Sequence, residues 1–260
     1  CNQSRLRRFR FYGLPLLAFA VLVFTGFSRE SAQPNVLFIM VDDARTSLRC
    51  FDDKTAITPN LDRLAQHGVR FENAYCQEAL CNASRSSLLT GQRPDTLQVW
   101  DQETWFRDKN PDATTLPGYF KQHGYFTRGI GKIFNNWHQN IHPNRDSWSV
   151  PPEYNWGTHN ADAAQVNGVM PPNLATLKKT ECRDVPDDAY RDGRIARDAV
   201  EALRKLKETD QPFFLAVGFW KPHFPFNAPK RYWDLYQRDA IPLPMPSSFP
   251  RNAPLLADIP

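Results

Sequence analysis

Cys81-Asn82-Ala83-Ser84-Arg85 sets a thiol and a guanidinium four residues apart. One helical turn brings such a pair to the same face. The residues that follow, Ser86-Ser87-Leu88-Leu89-Thr90-Gly91, read as a short apolar helix that Gly91 closes with a left-handed C-cap. With the helix starting near Asn82 or Ala83, Cys81 stands at its N-terminus, where unpaired amides and the helix dipole favour an anion. A nucleophile position, free N–H groups and a fork of donors would then converge on one tetrahedral oxyanion. A bare Cys-x-x-x-Arg more often describes a buried structural cysteine beside a surface arginine, so the neighbouring elements must overturn that reading. A phosphate loop of the cysteine-phosphatase type fits poorly, because it needs arginine six positions after the cysteine and residue 87 is serine.

The elements that would position this turn are those of an α/β protein. Asn35 to Val41 is a continuous β-branched apolar run, which predicts a strand buried on both faces of a parallel sheet. It ends in Asp42-Asp43, and ligands of open α/β sheets bind beyond the carboxyl ends of strands. Two carboxylates there suit a hard divalent cation, Ca²⁺ or Mg²⁺, or else a solvated turn. Thr58-Pro59 starts a packing helix with Leu61, Leu64 and Ala65 inward and Gly68 as its stop, and Val69 to Tyr75 reads as a short strand. A further helix runs from Leu116 to His123, closed by Gly124. It feeds a strand within Phe126–Phe134 that brings Lys132 to its end. Asn135 to Pro186 has no period and reads as long surface loops. Asp192 to Glu208 is amphipathic, with Ile195, Ala199, Ala202, Leu203 and Leu206 as its stripe. Pro212 to Trp220 is a second fully buried strand, and Lys221-Pro222-His223 follows it. His223 could donate to an anionic oxygen or act as a general acid.

The 260 residues suffice for one substantial core. The net charge of +4 resides entirely in residues 1–32, where Arg5, Arg7, Arg8, Arg10 and Arg29 face only Glu30. The remainder is neutral, so no nucleic-acid-binding face is implied. The basic cluster and the apolar run Leu14–Phe27 suit a secretory signal over residues 1–32, with Ala32 at a weakly marked cleavage site, or an uncleaved N-terminal anchor. The protein is expected to be exported, to the periplasm or outside the cell, touching a membrane only through that segment if it is retained. Cys50, Cys76, Cys81 and Cys182 show no dense disulfide spacing.

Asp-Asp after the first strand, Cys-x-Ala-Ser-Arg with its Leu-Thr-Gly tail, Gly-Lys and Lys-Pro-His occur here in that order. Together they resemble the sulfatase family of the alkaline-phosphatase superfamily, and within it the iduronate-2-sulfatases. The resemblance runs from about Asn35 almost to Pro260. It implies a largely parallel sheet with helices on both faces, incomplete at the C-terminus, so that residues 33–260 would be the N-terminal part of a catalytic domain, inactive alone. It also implies that a formylglycine-generating enzyme converts Cys81 to Cα-formylglycine, and that Asp42, Asp43 and residue 81 hold the metal. Arg85 and Lys132 would stabilise developing charge, and Lys132 and His223 would contact the sulfate or its leaving oxygen. An aldehyde hydrate carries two hydroxyls on one carbon, so one can attack sulfur and the other can collapse to expel sulfate. The implied activity is hydrolysis of a sulfated sugar or glycosaminoglycan, with uronate-2-sulfate the nearest analogue. A phosphate or phosphonate monoester hydrolase of the same superfamily and a non-catalytic carbohydrate-binding relative are the alternatives.

Three departures from the family pattern stand out. Ala83 replaces the commoner proline. Asn135 stands where a histidine is usual, so that either His138 takes that role or collapse of the hydrate is impaired. The later Asp-His-Gly strand end and active-site lysine have no counterpart in the 260 residues. Asn82-Ala83-Ser84 is also an N-glycosylation acceptor sequence, and a glycan there would block the cleft.

Overall fold

The computed structural model describes residues 33–135, 144–153, 163–165 and 180–242. Its centre is a three-stranded parallel sheet of β1 (Val36–Val41), β2 (Phe126–Gly131) and β4 (Phe213–Phe219), in the order β1-β4-β2. The strand β4 is the middle one, in register with Val36–Val41 on one side and Phe126–Gly131 on the other. Its side chains are therefore buried on both faces, as its uninterrupted apolar run predicts.

Alternation along β4 divides the core in two. Phe214 and Ala216 face a layer built by α2 (Cys81–Thr90), the short α3 (Pro94–Leu97) and α4 (Phe106–Lys109), and α5 (Leu116–Gln122), where Ala83, Leu89, Phe106 and Phe134 pack. Phe213, Leu215 and Val217 face the long helix α6 (Arg191–Leu206) through Ile195, Ala199, Ala202 and Leu206. Helices thus cover both faces of a parallel sheet. Thr115 caps α5 by accepting from Gly118 N–H, and Gly124 leaves that helix at φ +86°. A second, two-stranded sheet pairs β3 (Thr180–Arg183) with β5 (Phe226–Pro229). Aperiodic and Pro-rich sequence concealed both of its strands.

Three expectations require correction. The strand β1 is buried on one face only: Val36, Phe38 and Met40 pack inward, whereas Leu37, Ile39 and Val41 are about half exposed, because α6 reaches over β4 and β2 and β1 is an edge strand. The helix α1 (Pro59–Gln66) forms as expected, yet it buries none of its residues, and Leu61 and Leu64 lie exposed. Finally, Val69 to Tyr75 is not a strand. A strand needs a neighbouring ladder to take its backbone hydrogen bonds, and none lies beside this segment among the described residues.

One close approach sets the geometry of the sheet's carboxyl end. Gly131 and Gly218 are register partners, and Lys132 N–H donates to Gly218 O at 2.9 Å. A Cβ on Gly218 would fall 1.8 Å from Lys132 O, and Gly131 has φ +79°. Only glycine at both positions lets the chain turn so that Lys132 enters the interior.

Candidate active site

The carboxyl ends of β1, β2 and β4 meet the N-terminus of α2. The helix begins at Cys81, and Gly91 ends it at φ +68°, its N–H donating to Ser87 O at 2.8 Å. Ala83 and Leu89 are fully buried against the sheet, which fixes the helix in place. Directly after β1, Asp42 is 4% exposed and Asp43 adopts a left-handed backbone at φ +54°. Aspartate tolerates that conformation better than most residues.

Asp42 anchors the charge network. Its Oδ1 accepts from Arg85 Nη2 at 2.9 Å, and its Oδ2 from the Lys132 ammonium. Arg85 also donates through Nη1 to the carbonyls of Lys132 at 2.6 Å and Ile133 at 3.0 Å. Lys132 is wholly buried, 5.5 Å from the Trp220 ring centroid. Burial works against the Asp42 carboxylate, yet the Arg85 and Lys132 charges outweigh it and hold its pKa below the ordinary value. For Lys132, burial first and the Arg85 charge second depress the ammonium pKa, with Asp42 opposing.

His223 approaches from the turn after β4. Trp220 and Lys221 N–H donate to the Asp192 carboxylate on the first turn of α6, while Lys221 Nζ bonds the His223 and Pro225 carbonyls. The turn is thereby closed from within. His223 Nδ1 lies 2.7 Å from Phe224 O, and since a carbonyl only accepts, Nδ1 carries the proton and Nε2 is left for the site. Nε2 is 3.8 Å from Asp43 Oδ2. Hydrogen bonding to Cys81 is the largest of several influences that raise the His223 pKa, with burial opposing and Asp43 and Asp42 assisting.

Cys81 Sγ is 3.7 Å from Asp42 Oδ1. One ligating atom each from Asp42, Asp43, Cys81 and His223 lies within 4.8 Å of all the others. They line a cavity of about 540 Å³ together with Arg85, Ser84, Glu78 and Gln102. Larger clefts of about 850 and 830 Å³ lie beside α6 and beside Tyr232–Ile241. Neither holds a comparable cluster of His, Cys, Asp and Glu among the described residues.

The structure therefore brings together five of the residues singled out in the sequence, Asp42, Asp43, Cys81, Arg85 and His223. It places the sixth, Lys132, behind Asp42 rather than on the cavity wall. His138 lies outside the described residues. Asn135 is 7% exposed and donates through Nδ2 to Gln102 O and Gln102 Oε1, both at 3.1 Å. The amides of α2 are less free than expected, because Asn82 N–H donates to Gln102 Oε1 at 3.2 Å. Asn82 itself is 1% exposed, its side-chain amide held by Asp101 O at 2.9 Å and Thr104 O at 2.8 Å. A glycan cannot be attached to it in the folded protein.

Sequence reasoning missed Gln102. The available signal was Asp101-Gln102-Glu103-Thr104, a turn in which Asp101 accepts from Glu103 N, Thr104 N and Thr104 Oγ1.

With this geometry in hand, the sequence profile of the sulfatase family matches residues 34–244. The chain belongs to the sulfatase family. It is 39% identical over 232 residues to iduronate 2-sulfatase of Mus musculus, covering 86% of this chain and 41% of that protein. A sulfatase of Formosa agariphila is 33% identical over 89% of this chain and 46% of its own length. Among solved structures, the phosphonate monoester hydrolase from Silicibacter pomeroyi superposes with a TM-score of 0.58 at 18% identity, over 82% of this chain and 46% of that one, a likeness of fold. The chain thus spans less than half the length of these relatives.

Proposed function

We propose that the full-length protein hydrolyses a sulfate ester of a sugar, at a centre built on Cys81 oxidised to formylglycine and a divalent cation, Ca²⁺ or Mg²⁺. The observation that carries this reading is the convergence of Asp42, Asp43, Cys81 and His223 within 4.8 Å, backed by buried Arg85 and Lys132, in a chain of the sulfatase family. The donor set fits a cation. Ligand atoms on opposite sides of Ca²⁺ stand about 4.6–5.2 Å apart, twice its ordinary bond length. Asp42, Asp43 and Glu78 line the cavity, and a cation there would add positive charge where these carboxylates face the ester. Asp42, Asp43 and the residue-81 oxygen would hold it, and it would supply positive charge to the ester oxygens. Formylglycine at position 81 would supply a hydroxyl nucleophile in hydrated form.

The remaining work falls to the chain's own groups. Arg85 is locked by two carbonyls and Asp42, so its guanidinium costs no reorganisation when charge develops beside residue 81. Lys132 keeps Asp42 ionised and oriented from behind. His223, with Nδ1 fixed on Phe224 O and the Asp43 and Asp42 carboxylates favouring its charged form, presents a protonated Nε2 that can be given to a departing alcohol oxygen.

The relatives named iduronate 2-sulfatase support a 2-sulfated uronate in a glycosaminoglycan as the substrate class. The Arg-rich start and apolar run of residues 1–32 support export. A formylglycine-generating enzyme is the required partner. The test is the rate of the full-length protein, co-expressed with that enzyme, on matched nitrophenyl sulfate, phosphate and phenylphosphonate and on a 2-sulfated uronate disaccharide. Faster turnover of the sulfates is expected, and preference for the phosphorus esters would overturn the reading.

A further inference from the structure

Gln102 stands apart from the groups the family motifs contribute, yet it lines the same cavity as Cys81, Asp42, Asp43 and His223. Its orientation is determined by its neighbours. Asn82 N–H is a backbone amide and can only donate, so the side-chain atom 3.2 Å from it must be the oxygen of Gln102. The same oxygen receives Asn135 Nδ2 at 3.1 Å, which occupies both of its lone pairs. Asn135 Nδ2 is itself oriented by a second bond to Gln102 O at 3.1 Å. The Gln102 amide nitrogen must then lie on the opposite side, and it makes no hydrogen bond to any described residue.

The support around this side chain is rigid. Asn82 is 1% exposed and Asn135 7%, and Asn82 Nδ2 is fixed on the Asp101 and Thr104 carbonyls that flank Gln102. Asp101 closes its own turn through three hydrogen bonds. A partly exposed amide with its oxygen saturated and its nitrogen unused is a donor held in advance for a ligand acceptor.

We infer that Gln102 is an oxyanion-binding residue, donating from Nε2 to an oxygen of the sulfate group in the Cys81 cavity. The inference rests on the reading of this cavity as a sulfate-ester site and adds to it a neutral donor beside the N-terminus of α2. Asn135, in this arrangement, is a positioning residue that acts through Gln102 and has no role in proton transfer. Sulfate carries only acceptor oxygens at neutral pH, so a neutral N–H donor suits it without adding further charge.

The test uses the full-length protein, ¹⁵N-labelled and deuterated, co-expressed with the converting enzyme and held in excess Ca²⁺, titrated with inorganic sulfate. The Gln102 Nε2H₂ resonances are assigned by their loss in Gln102→Glu, which keeps an acceptor for Asn82 N–H. Gln102→Met keeps the length of the side chain and removes both functions. The native Gln102 amide protons should move downfield and saturate together with the backbone amides of residues 81–85. Both variants should bind sulfate about 10- to 100-fold more weakly, the range for one hydrogen bond to a charged group. Backbone shifts at residues 81–85 without movement of the Gln102 amide, or native affinity in Gln102→Met, would overturn the inference while leaving the sulfate site intact. No response at residues 81–85 at any sulfate concentration would remove the site reading and the inference together.

Discussion

Replacing Asp42 by Asn keeps the shape of the side chain and removes the single negative charge that two buried cations share. Arg85 has a side-chain exposure of 6% and Lys132 of 0%, so neither can recover hydration by a small rearrangement. Arg85 would retain its bonds to the Lys132 and Ile133 carbonyls, whereas the Lys132 ammonium would meet a neutral acceptor in place of the carboxylate. Breaking a buried ion pair by removing one partner costs about 3–5 kcal/mol. The assay is thermal and urea unfolding of the full-length protein in chelating buffer, so that cation binding does not enter the comparison. Adding Lys132→Met to Asp42→Asn removes the stranded ammonium, and the double variant should recover at least about 1 kcal/mol relative to additivity. If Asp42→Asn lies within about 1 kcal/mol of the native protein, the charge network is not what holds this end of the sheet together, and the reasoning fails.

Further predictions concern the metal, the glycine contact, the core and pH. Calcium at 100 times its Kd should stabilise the native protein by about 2.7 kcal/mol in calorimetry. Asp43→Asn should weaken that effect while changing stability in chelator by no more than about 0.5 kcal/mol, since Asp43 is exposed. Gly218→Ala should not accumulate as folded protein, because its Cβ would sit 1.8 Å from Lys132 O; soluble native-like protein by circular dichroism would contradict that. Leu89→Ala, at a fully buried position on α2, should cost about 2–5 kcal/mol in urea unfolding. Hydrogen bonds from Ala56 and Thr55 N–H hold the Asp53 carboxyl below its ordinary pKa. Their contribution is therefore present above the unfolded value of about 3.9 and is lost as pH falls through the lower folded value, and a carboxyl NMR titration should show that lowered midpoint.

Much of this was legible in the sequence where the signal was local. The helix from Cys81 to Gly91, its left-handed cap, the buried strand Phe213–Phe219 and the inner stripe of Arg191–Leu206 follow from periodicity and from cap residues. What escaped depends on neighbours distant in the chain. An unbroken apolar run cannot say whether it lies in the middle of a sheet or at its edge, so Leu37, Ile39 and Val41 looked buried and are not. The stripe on α1 predicts a partner that the described residues do not provide. The β3–β5 pair joins residues 180–183 to 226–229 through sequence with no strand signature. The strand end that brings Lys132 toward the site was readable, whereas the Gly131–Gly218 contact that turns it inward to Asp42 was not. Gln102 became visible only when Asn82 and Asn135 were seen to meet its oxygen from 20 and 33 residues away.

The most direct measurement of the central claim is the mass of the tryptic peptide Phe71–Arg85 from protein produced with the converting enzyme. It contains both Cys76 and Cys81, so fragment ions separate the reactive position from an internal control. A peptide about 18 Da lighter than its unmodified form, with the change at residue 81 alone, is the predicted covalent change. A fully unmodified Cys81 in a host that converts other sulfatases would contradict the account.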